Sequence, residues 1–178
     1  MPDWPGVPFT YPRTALSTFG TAAATGQIAA AAGARFNNSG TWPAANRALY
    51  IPVVLEQRST VYKMSFGVAT QSGNYDVGIY DVTGARIVSL GSTAVPAAGL
   101  ATADIADTVL VPGVYFLAMN VDNITASFNR LALALPVCRS SGVQQQAVGA
   151  VTLPATWTPA NPATAYVPAL TAHLVATI

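Results

Sequence analysis

The sequence predicts an all-β protein, and three observations support that prediction. Apolar and polar residues alternate with a period of two in several short runs, which is the pattern of half-buried strands. Turn-forming Gly, Pro, Asn and Asp residues separate these runs at intervals of about 8–12 residues. No long stretch carries the periodicity of an amphipathic helix. We therefore expect a jelly-roll β-sandwich of about eight antiparallel strands.

The predicted strands begin after residue 46. Residues 61–69 alternate most clearly, with one face formed by Tyr62, Met64, Phe66 and Val68. Pro52 places the first strand at a sheet edge or at its own margin, because proline cannot donate to a ladder. A Pro112-Gly113 turn precedes an aromatic-rich strand. The runs that predict strands are residues 48–55, 61–69, 75–81, 86–90, 100–105, 114–121, 129–135, 148–153 and 170–178.

Composition divides the chain into three parts. Residues 1–13 contain four prolines, which exclude helix and central strand and predict a stiff, extended N-terminal arm. We expect the arm aromatics Trp4, Phe9 and Tyr11 to dock on a neighbouring subunit. Residues 14–45 are rich in Ala, Thr and Gly and are interpreted as a linker. Residues 46–178 are the predicted sandwich domain.

Charge is scarce throughout the sequence. Only 8% of the residues are Asp, Glu, Lys or Arg, against about 25% in an average soluble protein. The net charge of +1 and the scattered arginines exclude an electrostatic nucleic-acid site. The apolar runs are too short for a transmembrane helix, and the N-terminus lacks the pattern of a signal peptide. We expect no membrane association and no secretion.

The sequence offers few residues for catalysis or for metal binding. A Ser–His–Asp arrangement requires His173, which lies in a predicted strand without a nucleophile elbow. The single cysteine, Cys138, is interpreted as a small buried hydrophobic residue. Asp76 lies opposite the apolar face of its strand and is expected to contact solvent or turn backbone. Asp104 and Asp107 lack the spacing of a calcium loop. We expect no enzyme activity, no catalytic residue, no metal and no cofactor.

Four aromatic residues define an alternative binding site. Trp42 and Trp157 lie in proline-containing loops, where a tryptophan either caps the core or remains exposed for contact. Together with Tyr50 and Tyr80 they are the candidates for a carbohydrate-binding platform at one end of the sandwich. Capping of the core is the favoured interpretation.

Three segments carry a resemblance to a known group of proteins. They are NYDVGIYDVTGARIVSL with the GSTA that follows it (residues 74–94), LVPGVYFLA (residues 110–118) and LPATWTP (residues 153–159). In these segments the chain resembles small β-sandwich proteins of tailed-bacteriophage virions, and the resemblance covers about residues 46–178. It implies a structural or adhesive role in a particle. The group provides no catalytic residues to transfer to this sequence.

The resemblance leads to two functional expectations. The first is a capsid decoration (cement) protein on the virion surface, made in the host cytoplasm, which assembles as a homotrimer and binds the major capsid protein or another virion protein. The alternative is a tail, baseplate or fibre component that binds a receptor or a host glycan. The scarcity of charge favours assembly, because uncharged side chains avoid a desolvation cost at subunit contacts.

Overall fold

The computed structural model describes residues 27–29, 38–131 and 133–176. Across these residues the chain forms thirteen strands and one short helix. In chain order they are β1 Gln27–Ala29, β2 Asn38–Thr41, β3 Arg47–Leu55, β4 Ser59–Thr70, β5 Asn74–Asp81, β6 Arg86–Ser89, β7 Thr93–Ala94, β8 Gly99–Leu110, β9 Gly113–Val121, β10 Ser127–Leu131, α1 Leu135–Ser140, β11 Gln144–Ala147, β12 Val167–Pro168 and β13 Leu170–Ala176.

Two antiparallel sheets contain all of these strands, which confirms the predicted all-β sandwich. The first sheet has the order β11-β3-β9-β5-β6, with β7 also paired to β5. The second sheet has the order β1-β13-β4-β10-β12, with β8 paired to β4 and β2 paired to β10. Between consecutive described strands the chain changes sheets eight times: at β2–β3, β3–β4, β4–β5, β7–β8, β8–β9, β9–β10, β10–β11 and β11–β12. Most neighbours within a sheet are therefore distant in sequence.

The core lies between the two sheets and follows the predicted alternation. Tyr75, Val77 and Ile79 of β5 all face this core, as the period of two predicted. On the adjacent β9, the inward residues Leu117, Met119 and Val121 are completely buried. The apolar faces of β5 and β9 thus belong to one continuous core.

Strand β4 departs from simple alternation at one point. The sequence placed Val61 and Met64 on opposite faces, yet both side chains are completely buried. The register of β4 against β13 shifts between Val61 and Lys63, which leaves Tyr62 as one extra residue on β4 and marks a β-bulge. Because a bulge inserts one extra residue, it turns Val61 to the same side as Met64. The predicted face of Met64, Phe66 and Val68 is retained.

Pro52 occupies the sheet position that its chemistry predicted. Strand β11 pairs with β3 only between Arg47 and Tyr50. Beyond that point β3 has β9 as its described strand neighbour, and Pro52 lies opposite Phe116 in that pair. Pro52 therefore lies where β3 is an edge strand, which tolerates a residue that has no N–H group.

The predicted linker is partly wrong, because two strands of the second sheet lie within residues 14–45. Strand β1 pairs with β13, and β2 pairs with β10. Trp42, which follows β2, is also part of the core. The sandwich therefore begins before residue 46. These segments of the Ala- and Gly-rich region carry little periodic pattern of their own. They form strands because they pair with strands more than eighty residues away in the sequence.

Two further elements differ from the prediction in the second half of the chain. The strand expected at residues 129–135 ends at Leu131, and Leu135 begins helix α1, in which proline occupies the first turn. Residues 148–153 do not form a strand, whereas the preceding glutamine-rich segment forms β11. The strand predicted at residues 148–153 is wrong, because this apolar run packs on the face of a sheet and does not pair with a neighbouring strand.

Candidate functional site

The outer face of the first sheet is covered by residues 148–157 of the chain itself. A second, smaller apolar cluster forms between them, and its buried members are Ala48, Tyr50, Tyr80, Ala118 and Leu153. The half-buried Trp157 closes this cluster, with its ring centroid 4.7 Å from that of Tyr50 and 4.5 Å from that of Phe116. This outer face is therefore used for contacts within the subunit.

Two polar side chains hold the covering segment in place. Asp76 and Asn120 lie opposite each other on β5 and β9, and both are completely buried. The Asp76 carboxylate accepts hydrogen bonds from the backbone N–H groups of Gly91 and Leu153, each at 2.8 Å. The Asn120 side-chain amide donates to the backbone carbonyls of Ala150 and Val151. These bonds satisfy backbone groups of an irregular segment that have no partners in a strand ladder.

The electrostatics of Asp76 reflect its burial. Desolvation raises the pKa of this carboxyl group above its usual value, and the backbone hydrogen bonds from Leu153 and Gly91 and the charge of Arg86 oppose that rise. Arg86 also donates a hydrogen bond from Nη1 to the Leu153 carbonyl. The sequence predicted the face on which Asp76 lies. Of the two contacts expected for its carboxylate, the contact with solvent is wrong, because residues 148–157 enclose it, whereas the contact with the backbone of connecting segments is confirmed.

The four aromatic candidates for a glycan platform are divided between two clusters. Tyr50, Tyr80 and Trp157 lie together under the covering segment, where Tyr50 donates a hydrogen bond to Gln146 and Tyr80 donates one to the Pro154 carbonyl. Trp42 is 1% exposed in the main core and packs edge-on against Phe128 and Tyr166. Among these four residues only Trp157 retains partial exposure, so they do not form an exposed platform.

The outer face of the second sheet is built from small and polar residues. Gly67 pairs with Leu100, Ser65 lies between Thr102 and Thr171, and Lys63 lies between Asp104 and His173. Directly opposed residues of antiparallel strands share a face. We call this surface the small-residue face, and its members are Lys63, Ser65, Gly67, Leu100, Thr102, Asp104, Thr171 and His173. Leu100 is 82% exposed on it.

A shallow groove crosses the small-residue face. Its volume is about 200 Å³, and it is lined by Ser65, Phe66, Gly67, Leu100, Asn129, Ala169 and Thr171. Gly67 makes room for Asn129, since a Cβ atom at residue 67 would collide with the Asn129 amide. The volume is below the ~300–1,000 Å³ of typical small-molecule pockets. The groove therefore fits a side chain or short segment of another polypeptide better than an enclosed ligand.

The only lysine and the only histidine of the sequence meet at one end of this face. The Nε2 atom of His173 lies 2.7 Å from the Ser65 hydroxyl oxygen, within hydrogen-bond distance. The Tyr62 ring lies beside both side chains, 6.2 Å from the His173 ring and 5.2 Å from Lys63 Nζ. Ser65 itself is only 6% exposed. The histidine is thus fixed on the sheet by contacts with β4, beside a hydroxyl group that has little access to solvent.

We expect the stability of the protein to fall on mild acidification because of His173. Burial, and then the charge of Lys63, lower the pKa of His173 below its ordinary value of 6.5. The unfolded chain binds a proton near pH 6.5, whereas the folded chain binds it only at lower pH. The stability that the protein gains by keeping His173 neutral is therefore complete above pH 6.5. It is lost as the pH falls from there toward the pKa of His173 in the folded state.

Urea unfolding at pH 7.5 and pH 5.5 tests this expectation on the wild type and on His173→Gln. The wild type should lose more stability between these two pH values than the variant, by less than about 1 kcal/mol because solvent screens a half-exposed group. Asp76, whose raised pKa acts in the opposite direction, is present in both proteins and cancels in the comparison. An equal change in both proteins contradicts the assignment.

Strand β8 forms a long edge of the second sheet. It spans twelve residues, and among the described strands only β4 pairs with it. Its side chains alternate, with Ala101, Ala103 and Ile105 facing the core. The backbone groups on its other side are available for a further strand. The structure therefore offers an edge and an adjoining face on the same side of the sandwich.

The remaining candidates for chemistry are accounted for within the described residues. Cys138 is completely buried in the core, which raises the pKa of its thiol and confirms the prediction of a buried hydrophobic residue. Across residues 27–29, 38–131 and 133–176, no group of three His, Cys, Asp or Glu side chains is arranged to hold a metal ion. In the same part of the chain, no helix has both the length and the apolar character needed to cross a bilayer.

The arm candidates Trp4, Phe9 and Tyr11 lie outside the described residues, so their docking stays a prediction. The role of Asn120 and the open edge of β8 were not predicted from the sequence. A polar residue between buried apolar neighbours, as Asn120 is between Met119 and Val121, is the one local signal for the role of Asn120.

A scan against protein-family models, a search of the curated proteins and a search of the solved structures each returned no match.

Proposed function

We propose that this protein is a structural component of a tailed-bacteriophage particle, and specifically a capsid decoration protein that binds the particle surface as a homotrimer. The resemblance of residues 74–94, 110–118 and 153–159 to virion β-sandwich proteins suggests the setting. The observation that carries the proposal is the small-residue face, on which the opposed Lys63 and Asp104 supply the formal charges, with an open strand edge beside it.

The composition of the small-residue face suits a contact between subunits. Only Lys63 and Asp104 among its members carry a formal charge at neutral pH, and they lie opposite each other on β4 and β8. Interface cores are depleted of charged residues, since burying an unpaired charge is unfavourable. Small side chains also allow a second polypeptide to approach the sheet closely. A free monomer with so little charge is poorly protected against association.

In this proposal the N-terminal arm links the subunit to its neighbours. Its prolines limit the entropy lost on docking. Each of Trp4, Phe9 and Tyr11 contributes roughly 1.5–3 kcal/mol if most of its side chain becomes buried, before entropy losses. Repetition of the contact around a symmetric assembly multiplies its effect through avidity. The partners are other copies of the chain and the major capsid protein or another virion protein.

Deleting residues 1–13 tests this proposal. We expect the truncated protein to fold, because the described sandwich begins at residue 27, and to be lost from particles. The measurement is the copy number per purified particle, with circular dichroism reporting the fold. Full-length protein carrying alanine at Trp4, Phe9 and Tyr11 is a second variant. It should show the same loss, because it removes the arm aromatics without shortening the chain. Full occupancy by the truncated protein refutes the arm contact.

The alternative function, a tail or fibre module that binds a host glycan, retains one supporting observation. Trp157 is partly exposed at the surface of the covering segment. A glycan array with the purified protein distinguishes the two proposals, because a decoration protein should show no saturable binding. Saturable binding that is lost in Trp157→Ala, while circular dichroism is unchanged, favours the alternative.

A further inference from the structure

We propose that the open edge of β8 receives residues 14–26 of a neighbouring copy as an added strand. The contact would be a β-augmentation, in which main-chain hydrogen bonds hold an extended segment against a sheet edge. This inference rests on the self-assembly proposed above and names the segments that make the contact.

Strand β8 is the longest open edge in the described part of the sandwich. The strands at the other ends of the two sheets are short: β2, β6 and β11 have four residues each, β1 has three, and β7 and β12 have two each. The end of β3 beyond its pairing with β11 is also an edge, and it carries Pro52. Native proteins protect edge strands by making them short, by placing Pro or charged residues in them, or by interrupting them with β-bulges. Strand β8 has twelve residues and contains neither Pro nor Lys, and its protection is limited to two aspartates and an irregular stretch at residues 105–107.

Exposed apolar side chains lie near both ends of β8. Leu100 is 82% exposed at its beginning and Val109 is 50% exposed near its end, while Val111, just beyond the strand, is 59% exposed. The groove on the small-residue face adjoins Leu100. An added strand would pair with the free backbone groups and cover apolar surface at both ends. Burial of that surface favours an occupant about as long as β8 itself.

The charges of β8 select among possible occupants. Asp104 and Asp107 are both exposed, and the strand carries no cation. Two copies of β8 paired with each other would bring these carboxylates together, and like charges across a strand pair are destabilising. The occupant should therefore lack acidic residues and should bring a positive charge.

Residues 14–26 meet the first of these requirements but contain no positive charge of their own. Their sequence, TALSTFGTAAATG, contains no Asp, Glu or Pro, and Arg13 precedes it. Its thirteen residues match the twelve of β8, and its threonines favour strand pairing. Residues 1–13 contain four prolines and Asp3, and residues 30–37 number only eight, so neither segment fits as well.

The position of β1 favours a neighbouring copy over the same chain. Residue 26 leads directly into β1, which lies across the second sheet from β8, with β13 and β4 between them. A contact between the β1 edge of one copy and the β8 edge of the next is heterologous. Such head-to-tail contacts form a ring when the rotation between copies closes, as the proposed trimer requires, and an open filament when it does not.

Disulfide trapping between differently tagged copies tests the inference. One copy carries Thr102→Cys, at an exposed position on β8. The other carries Thr18→Cys, Gly20→Cys or Ala22→Cys, which together sample one face of the segment. Both copies also carry Cys138→Ala, so that the buried thiol cannot react. We expect oxidation to give a mixed-tag dimer with at least one of the three positions. Thr83→Cys in place of Thr102→Cys, at an exposed turn outside β8, is the matched control and should give none.

Two results overturn the inference. The first is the absence of a mixed-tag dimer with all three positions. The second comes from a further variant that carries both cysteines in one chain, and it is a disulfide that forms only within single chains. Particle binding, measured separately, keeps this test distinct from that of the proposed function. A mixed-tag dimer in protein that does not bind particles supports the strand contact and contradicts the decoration role. Particle binding without a mixed-tag dimer contradicts the strand contact and supports the decoration role.

Discussion

Replacing Asp76 with alanine is expected to lower the free energy of unfolding by about 3 kcal/mol, because it leaves buried backbone donors without an acceptor. The carboxylate accepts hydrogen bonds from Gly91 and Leu153, and it is completely buried. Loss of these bonds releases residues 148–157 from the outer face of the first sheet. Urea unfolding measures the change in stability, and amide hydrogen exchange at residues 150–153 reports the release of the segment.

Asp76→Asn is the matched control for this prediction. The asparagine keeps one acceptor oxygen and removes the charge whose burial raises the pKa of the wild-type carboxyl group. We expect it to lose clearly less stability than the alanine variant. If the two variants lose the same amount, the hydrogen bonds to Gly91 and Leu153 do not hold the covering segment.

Replacing Gly84 with alanine is expected to cost about 3–4 kcal/mol from two sources. The residue has a φ angle of 88°, which adds about 1–2 kcal/mol for any residue with a Cβ atom. That Cβ atom would also overlap the indole ring of Trp157. Displacement of the ring removes it from the cluster with Tyr50 and Phe116, a loss on the order of 2 kcal/mol. Thermal unfolding and tryptophan fluorescence measure the two effects.

Gly91→Ala provides a close control, because the two glycines share a backbone conformation and differ in surroundings. The φ angle of Gly91 is 85°, and no atom lies within 4 Å of a Cβ atom placed there. Its substitution should cost only the backbone contribution and leave the fluorescence unchanged. The difference between the two variants therefore measures the contact with Trp157. Equal losses of stability contradict a structural role for that contact.

Much of the strand pattern could be predicted from the sequence, because it depends on neighbouring residues. The alternation of Tyr75, Val77 and Ile79 identified the inward face of β5, and Pro52 indicated an edge. Thr83-Gly84 predicted the turn between β5 and β6, which Asp81 stabilises by accepting hydrogen bonds from the Thr83 and Ala85 backbone. These features hold wherever the strand lies in the sheet.

The sequence was less informative about the candidate site, because a site depends on which segments meet. Tyr50 and Tyr80 have the composition of a glycan platform, yet residues 148–157 cover them. Gly67, Ser65 and Thr171 carry little signal individually and form a surface only when β4 and β13 pair. The bulge beside Tyr62 also changed which side chains of β4 face the core.

The sequence by itself determined the all-β class, the scarcity of charge and the inward faces of β5 and β9, since local alternation and composition are sufficient for these. Only the tertiary structure decided which outer face is covered and which edge remains open. Strand pairings join residues far apart in the chain, such as β1 with β13, and no local pattern encodes them. The burial of Asp76 and the exposure of β8 both follow from those pairings.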